Sequence, residues 1–440
     1  MRVHGYLSWG RYPRLYPAAV WRLHWRGEAL PSVPPGMSLL PRGYGRSYGD
    51  CCLNEGGLLL DVTGLDRFLA FDPEQGLLRC EAGISMAEIV SFALPRGYFV
   101  PVTPGTKWVS LGGAIANDVH GKNHHRAGSF GCAVCAFELV RSSGERLRCT
   151  PTENAELFRA TIGGLGLTGL ITWAEIRLRP VETAWMRVEV IPFGHVREFF
   201  RLSRESDAAF EYTVAWVDVT ARGKQLGRGI FWRGNHARRE EAPRELPRRR
   251  LRLSLPVDAP EWLLNPWSAR LANALYFRLH RRREGIVPYD AFFYPLDALG
   301  QWNRLYGARG FVQYQCVVPP ETAEGAVEEL LERIAAARVT ALLGVLKVFG
   351  AQRSPGMLSF PRPGVTLAVD FALEGEKTWQ VLAQLDACVR AAGGALYPAK
   401  DARMPPEMFV HSFPQWREFA RYRDPLFSSS FWRRVTRGLD

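Results

Sequence analysis

One stretch of this 440-residue chain limits its fold more than any other: residues 103–131, TPGTKWVSLGGAIANDVHGKNHHRAGSFG. Six glycines, three histidines, two lysines and two asparagines surround one short apolar patch, Leu111–Ala116. Glycine lets backbone approach another group closely and take up left-handed conformations. Asparagine, histidine and lysine supply donors and acceptors for a bound molecule. Loops of this kind, held by a rigid scaffold, tend to carry binding and catalysis. The stretch reads as a cofactor site set in an ordered domain.

A second glycine-rich loop precedes it, PRGYGRSYGD at 41–50. Gly43, Gly45 and Gly49 open the backbone, and Arg46, Ser47 and Tyr48 supply donors. Successive backbone N–H groups in such a loop form an anion-binding nest, and arginine adds charge. That suits a pyrophosphate. The spacing is not that of a dinucleotide-binding G-x-G-x-x-G turn, and no helix pattern follows. A literal G-x-G-x-x-G occurs at Gly164–Gly166–Gly169, but a helical pattern (155–160) precedes it and a strand-like run follows. A nicotinamide site needs the reverse order.

Length and composition narrow the class. A chain this long favours two domains, and its 47% hydrophobic and 23% charged content is that of a globular protein. No apolar run reaches membrane-spanning length, and the first residues lack the apolar core of a signal peptide. Eight scattered cysteines fit no disulfide framework; Cys132–Cys135 is a lone CxxC without a second ligand pair. The expected location is cytoplasmic, with peripheral attachment at the inner membrane face left open. The net charge of +12 raises nucleic acid, a membrane surface or an anionic substrate as partners. No nucleic-acid motif accompanies it. Much of the excess falls in 233–252, where arginines interrupted by glutamates and prolines read as a mobile, solvated loop. Residues 253–283 mix Trp262, Trp267, Tyr276 and Phe277 with arginines and leucines. Such a basic, amphipathic helix either lies on an anionic bilayer or packs on its own domain as a cover for the site.

Along the chain, 39–180 alternates short strands and helices between glycines, an α+β pattern. From about Trp185 the runs 186–191, 212–219, 310–318, 341–349 and 366–371 read as strands, and 321–337 and 377–392 as helices. An antiparallel sheet backed by helices is expected there, and no internal repeat is present.

The loops in this order resemble the FAD-binding domain of the vanillyl-alcohol-oxidase superfamily. GRSYGD, then PGTxxVxxGGAIxxDxHGKNHHxxGSFG, then GGxGLTG, is more specifically similar to the decaprenylphosphoryl-β-D-ribose 2′-oxidase family. FVQYQ at 311–315, LKVFG at 346–350, VDF at 369–371 and YPAKDAR at 397–403 fit the same family in the same order, so the resemblance runs from about Leu40 to the C-terminus. It implies a two-domain α+β flavoprotein, with FAD-domain residues 1–184, a substrate domain at 185–394, and a tail at 395–440 that returns to the FAD domain.

The resemblance also implies residue roles. Pro41, Arg42, Gly43, Tyr44, Gly45, Arg46, Ser47, Tyr48, Gly49 and Asp50 would hold the pyrophosphate. Gly105, Ser110, Leu111, Gly112, Gly113, Asn117, Asp118 and His120 would line the ribityl chain and ring, with Ile171 and Tyr397 at the edge. Some superfamily members bind FAD covalently through a histidine in the first loop; Arg46 stands at that position, so FAD is expected to be noncovalent. Lys400, His120 and Tyr48 are the candidate catalytic residues. A lysine of lowered pKa near the reacting hydroxyl stabilises alkoxide or accepts its proton.

Gln313 and Gln315 alternate along a strand and share a face; facing a pocket they would bond sugar hydroxyls, as the resemblance implies, and facing solvent they would carry no role. Lys347 lies in the apolar run GVLKVFG, so it either reaches solvent or meets an anion such as a substrate phosphate. Lys122 is expected near the substrate. His124 and His125 lack a carboxylate partner and suggest no metal.

The implied reaction is oxidation of a secondary alcohol of a polyprenyl-phosphate-linked ribose to a ketone. The resemblance adds an NAD(P)H-dependent reductase as a partner that gives the arabinose epimer, and a periplasmic location among relatives. Two other readings stay open: an FAD oxidase of a soluble polyol or aldonolactone, and a flavin-free scaffold on an anionic surface.

Overall fold

The computed structural model describes residues 5–243, 245 and 253–439. Its first part is built on a three-stranded and a five-stranded sheet, with a two-stranded ribbon of Tyr98–Phe99 and Arg179–Pro180 beside them. Leu58–Asp61 lies between Ala19–Arg22 and Leu39–Arg42 in a three-stranded parallel sheet. The central run, LLLD, is buried along its whole length, as expected of a strand covered on both faces. Leu39–Arg42 leads straight into the first glycine loop, so its pairing fixes where the loop starts.

Five antiparallel strands form the second sheet, in the order Phe68–Asp72, Leu77–Glu81, Leu170–Arg177, Val134–Val140, Arg146–Cys149. Helix Ala155–Thr161 precedes Gly164 and strand Leu170–Arg177 follows Gly169, the order read from the sequence. Ser110 caps a short helix, Leu111–Ala116, its Oγ accepting from the Gly113 N–H at 3.2 Å. That cap satisfies an N-terminal amide and fixes where the second loop turns.

The later part is dominated by one eight-stranded sheet. Its order is Arg283–Pro288, Trp185–Phe193, Gly229–His236, Tyr212–Val217, Ala341–Phe349, Gly364–Ala372, Phe311–Val318, Ala395–Leu396, all antiparallel. Helices Val196–Ser206, Ala323–Ala337 and Glu376–Ala391 back it. Val312, Tyr314, Cys316 and Val318 share a core with those helices. By alternation, Gln313 and Gln315 take the opposite face, toward the glycine loops.

The tail is tied at several places, two of them near the site. Ala395–Leu396 adds to the edge of the large sheet. Arg434 then grips Asp50 through two bonds, 2.9 and 2.7 Å, and Asp401 at 2.8 Å.

Two expectations are corrected. Arg233–His236 is not loop: it ends the strand Gly229–His236, where cross-strand pairing with Trp185–Phe193 sets Arg233 against Glu189 at 2.6 Å. Of the remaining loop, 244 and 246–252 lie outside the described residues. The 253–283 segment is helical only over Pro266–Leu279, because Asn265 caps it and Arg283 already begins a strand.

Candidate active site

The two glycine loops and the open face of the large sheet enclose a cavity of about 300 Å³. The first loop forms one wall with the backbone from Pro41 to Tyr48. Among the described residues, the N–H groups of Tyr44, Gly45 and Ser47 have no protein acceptor. Backbone N–H groups without a protein acceptor, set along a cavity wall, are free to bond a ligand's oxygens, so this wall fits a phosphate-bearing group. Arg46 lies over the Trp9 ring at 4.3 Å and donates to the Trp108 carbonyl. Gly43 lets the two loops touch: a Cβ there would stand 2.1 Å from Ser110 Oγ.

The second wall carries Gly105, Ser110, Gly112, Gly113, Asn117 and His120, with Ile171 and Tyr397 beside them. Asn117 is fixed by donating to the Gly113 carbonyl at 2.9 Å, and its own carbonyl accepts from the Tyr397 hydroxyl at 2.9 Å. The tail thus supplies a residue to the wall that it closes.

Three strands make the floor. Register pairs Gln315 with Ala368 and Ala368 with Val345, and pairs Lys347 with Thr366. Directly paired residues share a face. Gln313 and Gln315, Thr366 and Ala368, and Leu343, Val345 and Lys347 accordingly line the cavity together.

A chain of polar contacts runs across this floor. Lys347 Nζ lies 3.0 Å from His120 Nδ1, and Gln315 Nε2 lies 2.9 Å from His120 Nε2 and donates to Thr366 Oγ1 at 3.1 Å. Burial, and then the Lys347 charge, push the His120 pKa well below the histidine range, so the ring stays neutral. A neutral ring offers one donor and one acceptor. With Lys347 charged, Nδ1 is the acceptor and Nε2 carries the proton, which the Gln315 amide meets only with its oxygen turned toward the ring. Burial beside Lys122 and Lys400 lowers Lys347 itself to about 7.

Lys400 stands where tail, loop and floor meet. Its Nζ is 3.6 Å from the centre of the Tyr48 ring and makes no hydrogen bond or ion pair with a described residue. Burial pushes its pKa down, and the negative charge of Asp370 partly restores it. The chain has only six lysines among 56 lysines and arginines. Three of them, Lys122, Lys347 and Lys400, gather around this site. Lysine adjusts its protonation on burial whereas arginine does not.

Five of the sequence-derived site residues lie outside the cavity lining. Gly49 serves the tail instead: a Cβ there would stand 1.6 Å from the Asp401 carbonyl oxygen. Asp50 is the buried partner of Arg434. Leu111 turns into the hydrophobic core. Asp118 accepts from the Gly131 N–H at 2.7 Å and from Ser354 Oγ at 2.5 Å, bracing the second loop from behind. Lys122 donates to the carbonyls of Phe292 and Phe293, and burial lowers it to about 7. Arg42 does line the cavity, but its guanidinium is spent on the carbonyls of Tyr6, Leu7 and Cys52. His124 packs its ring on Phe349 at 4.3 Å, and burial lowers it to about 3. Among the described residues no group of ligating side chains is arranged to hold a metal.

Sequence reasoning missed Trp9, the Leu296–Trp302 side of the mouth, Thr366 and Ala368. Strand alternation with the register of Gln315 would have found the last two. Trp9 and Trp302, in edge-to-face contact at 5.6 Å, carry no local signal.

A family model described as an FAD binding domain matches residues 35–150. The decaprenylphosphoryl-beta-D-ribose oxidase of Mycolicibacterium smegmatis is 38% identical over 91% of this chain and 89% of its own. An uncharacterized protein of Streptomyces coelicolor is 34% identical over 80% of this chain and all of its own. Cytokinin dehydrogenase 10 of Oryza sativa is 28% identical over 43% of this chain and 36% of its own. The first of these aligns with both the loops and the floor; the last covers less than half the chain.

Proposed function

The chain belongs to the decaprenylphosphoryl-β-D-ribose oxidase family, and from that membership we propose that it oxidises the 2′-hydroxyl of a polyprenylphosphoryl-β-D-ribose to the ketone. It is an FAD-dependent oxidoreductase. When bound, FAD supplies the hydride acceptor. The free amides of the 41–48 wall would hold its pyrophosphate, and Ser110, Gly112, Gly113, Asn117 and His120 would line its ring side. Attachment is noncovalent, since Arg46 stands where a covalent link would need histidine. Residues 1–184 then make up the cofactor domain and 185–394 the substrate domain, and the tail 395–440 adds a short strand to the second before it returns to the first.

One observation carries this reading. A lysine poised between charge states, Lys400, sits at the junction of the cofactor wall and a floor bearing two amides and a second cation. Gln313 and Gln315 hold and orient sugar hydroxyls. Lys347 spends one N–H on His120 and keeps two for the substrate phosphate. Leu343, Val345 and Ala368 exclude water from the floor. Lys400, charged, stabilises the developing alkoxide or, neutral, takes the hydroxyl proton at Nζ. Tyr48 holds that ammonium in place.

The outer surface supports a lipid-linked substrate. Helix Pro266–Leu279 turns Trp267, Leu271, Leu275 and Leu279 outward, with Trp262 just before it, each at least half exposed. Arg270, Arg278 and Arg281–283 flank them. Inward, Tyr276 packs on Trp216 at 4.8 Å, and the helix lies against the strand Ala341–Phe349 that floors the cavity. An apolar stripe with basic flanks suits an anionic bilayer. We place the enzyme at a membrane surface, where the prenyl tail stays in lipid while the ribose enters the cavity. Among the described residues no helix is long and apolar enough to cross a membrane. A separate NAD(P)H-dependent reductase would then deliver the arabinose epimer.

Product trapping tests the chemistry. Borohydride reduction of the reaction product should yield both ribose and arabinose, because hydride can add to either face of a 2′-ketone. Recovery of ribose alone would overturn the assignment.

A further inference from the structure

We infer that Asp370, a carboxylate buried beside Gln313 on the cavity-facing side of the floor, is the positioning residue of the active site: it is the buried counter-charge of Lys400, and it fixes the Gln313 amide so that Oε1 faces the cavity. The inference rests on the proposed role of Lys400.

Asp370 lies on Gly364–Ala372, register-paired with Gln313, and is fully buried without lining the cavity. Gln313 Nε2 donates to its Oδ1 at 2.5 Å. A carboxylate only accepts, so the amide orientation is fixed: Nε2 turns back to Asp370, and Oε1 turns toward Tyr48 and the cavity. Gln313 therefore offers the substrate an acceptor, suited to a sugar hydroxyl. Asp370 Oδ2 has no hydrogen bond of ordinary length, and the Tyr306 hydroxyl is the neutral polar group beside the carboxylate. An ionised carboxylate left half-satisfied in the interior is costly unless a cation compensates it. Lys400 is the cation whose charge acts on it, and that ammonium likewise has no ion-paired carboxylate. The two buried groups account for each other across the Gln313–Tyr48 layer.

The groups facing this pair are few. Tyr306 and Tyr48 face Asp370, and Cys51, Lys347 and His120 face Lys400. Burial raises Asp370 and lowers Lys400, so their titrations approach one another. Ionised Asp370 keeps Lys400 protonated to higher pH than burial alone permits. If Asp370 takes a proton, that support goes, and its new hydroxyl donates to the Gln313 oxygen and turns the amide round.

The test is the titration of Lys400 in the FAD-loaded enzyme without substrate. With six lysines in the chain, the NMR signal of ε-¹³C-lysine at Lys400 is identified by its loss in Lys400→Arg. Asp370→Asn should lower its midpoint by about one pH unit or more, and Asp370→Glu should restore most of the shift. An unmoved midpoint in Asp370→Asn overturns the inference. The unsubstituted protein gives an independent reading. Its Lys400 signal should titrate in two steps, as coupled groups do; a single step contradicts the pairing. With substrate, Asp370→Asn should move the pH limb of kcat to lower pH by the same amount, whereas a merely structural role lowers kcat at every pH. Because the midpoint is read without substrate, a wrong sugar assignment leaves this result standing.

Discussion

Lys400 carries its ammonium 3.6 Å above the centre of the Tyr48 ring, with no carboxylate in contact. The aromatic face supplies the attraction that an ion pair would otherwise give, worth about 2 kcal/mol in a dry site. It favours the charged form less firmly than a contacting carboxylate would. A group that must respond to a hydroxyl losing its proton needs that freedom. Lys400→Met should slow flavin reduction by about 10²–10⁴-fold, the range of a lost acid–base group, with FAD still bound. A rate within threefold of the parent would remove Lys400 from the chemistry.

Tyr48 separates platform from hydroxyl. Tyr48→Phe keeps the ring and should retain flavin reduction within about tenfold, whereas Tyr48→Ala removes the cation's support, worth about 2 kcal/mol. Equal losses in both variants, measured by stopped-flow absorbance, would show that the hydroxyl rather than the ring matters.

His120 is neutral throughout the working range, since burial and the Lys347 charge both disfavour a second proton. Histidine NMR on the FAD-loaded protein should show no His120 titration between pH 5 and 8. A midpoint near the ordinary histidine value would mean that the Lys347–His120–Gln315 chain is wired differently.

Lys122 and Lys347 tie stability to pH. Both fall to about 7 in the folded protein, against about 10.4 when unfolded. Between those values the unfolded chain holds protons that the folded chain has released. Their stabilising effect is therefore full above the unfolded value and is lost as pH falls toward 7, at up to about 1.4 kcal/mol per pH unit for each lysine. Urea unfolding of the substrate-free protein should show this slope, and Lys347→Met should flatten it. A slope unchanged by the substitution would contradict the burial argument.

Arg434 locks the tail that delivers Lys400 and Tyr397. Removing one side of its bridge to Asp50 and Asp401 leaves two buried carboxylates unpaired, a cost of about 3–5 kcal/mol. Arg434→Met should lower the melting temperature and weaken FAD binding together. Loss of stability with unchanged FAD affinity would separate the tail from the cofactor wall.

The loops and the floor differed in how far sequence could reach them. Glycine spacing and the six-residue patch Leu111–Ala116 announced the cofactor walls, because close backbone approach demands glycine whatever surrounds it. The Gln313–Gln315 alternation likewise exposed one strand of the floor. Thr366, Ala368 and Asp370 were hidden because a side chain's facing depends on cross-strand register, set here by pairing with Phe311–Val318. Asp50 and Asp118 look like ligand contacts in a polar loop. Their partners, Arg434 and Ser354, stand 384 and 236 residues away in sequence, beyond any local pattern.

The central claim is that this cavity couples bound flavin to a lipid-linked ribose. Anaerobic mixing of the purified, FAD-loaded enzyme with a polyprenylphosphoryl-β-D-ribose tests it most directly. The account predicts that the flavin's visible absorption bleaches in one exponential phase, and that acid precipitation of the protein releases the flavin to the supernatant. Bleaching by a free polyol or aldonolactone, with none by the lipid-linked sugar, would contradict it.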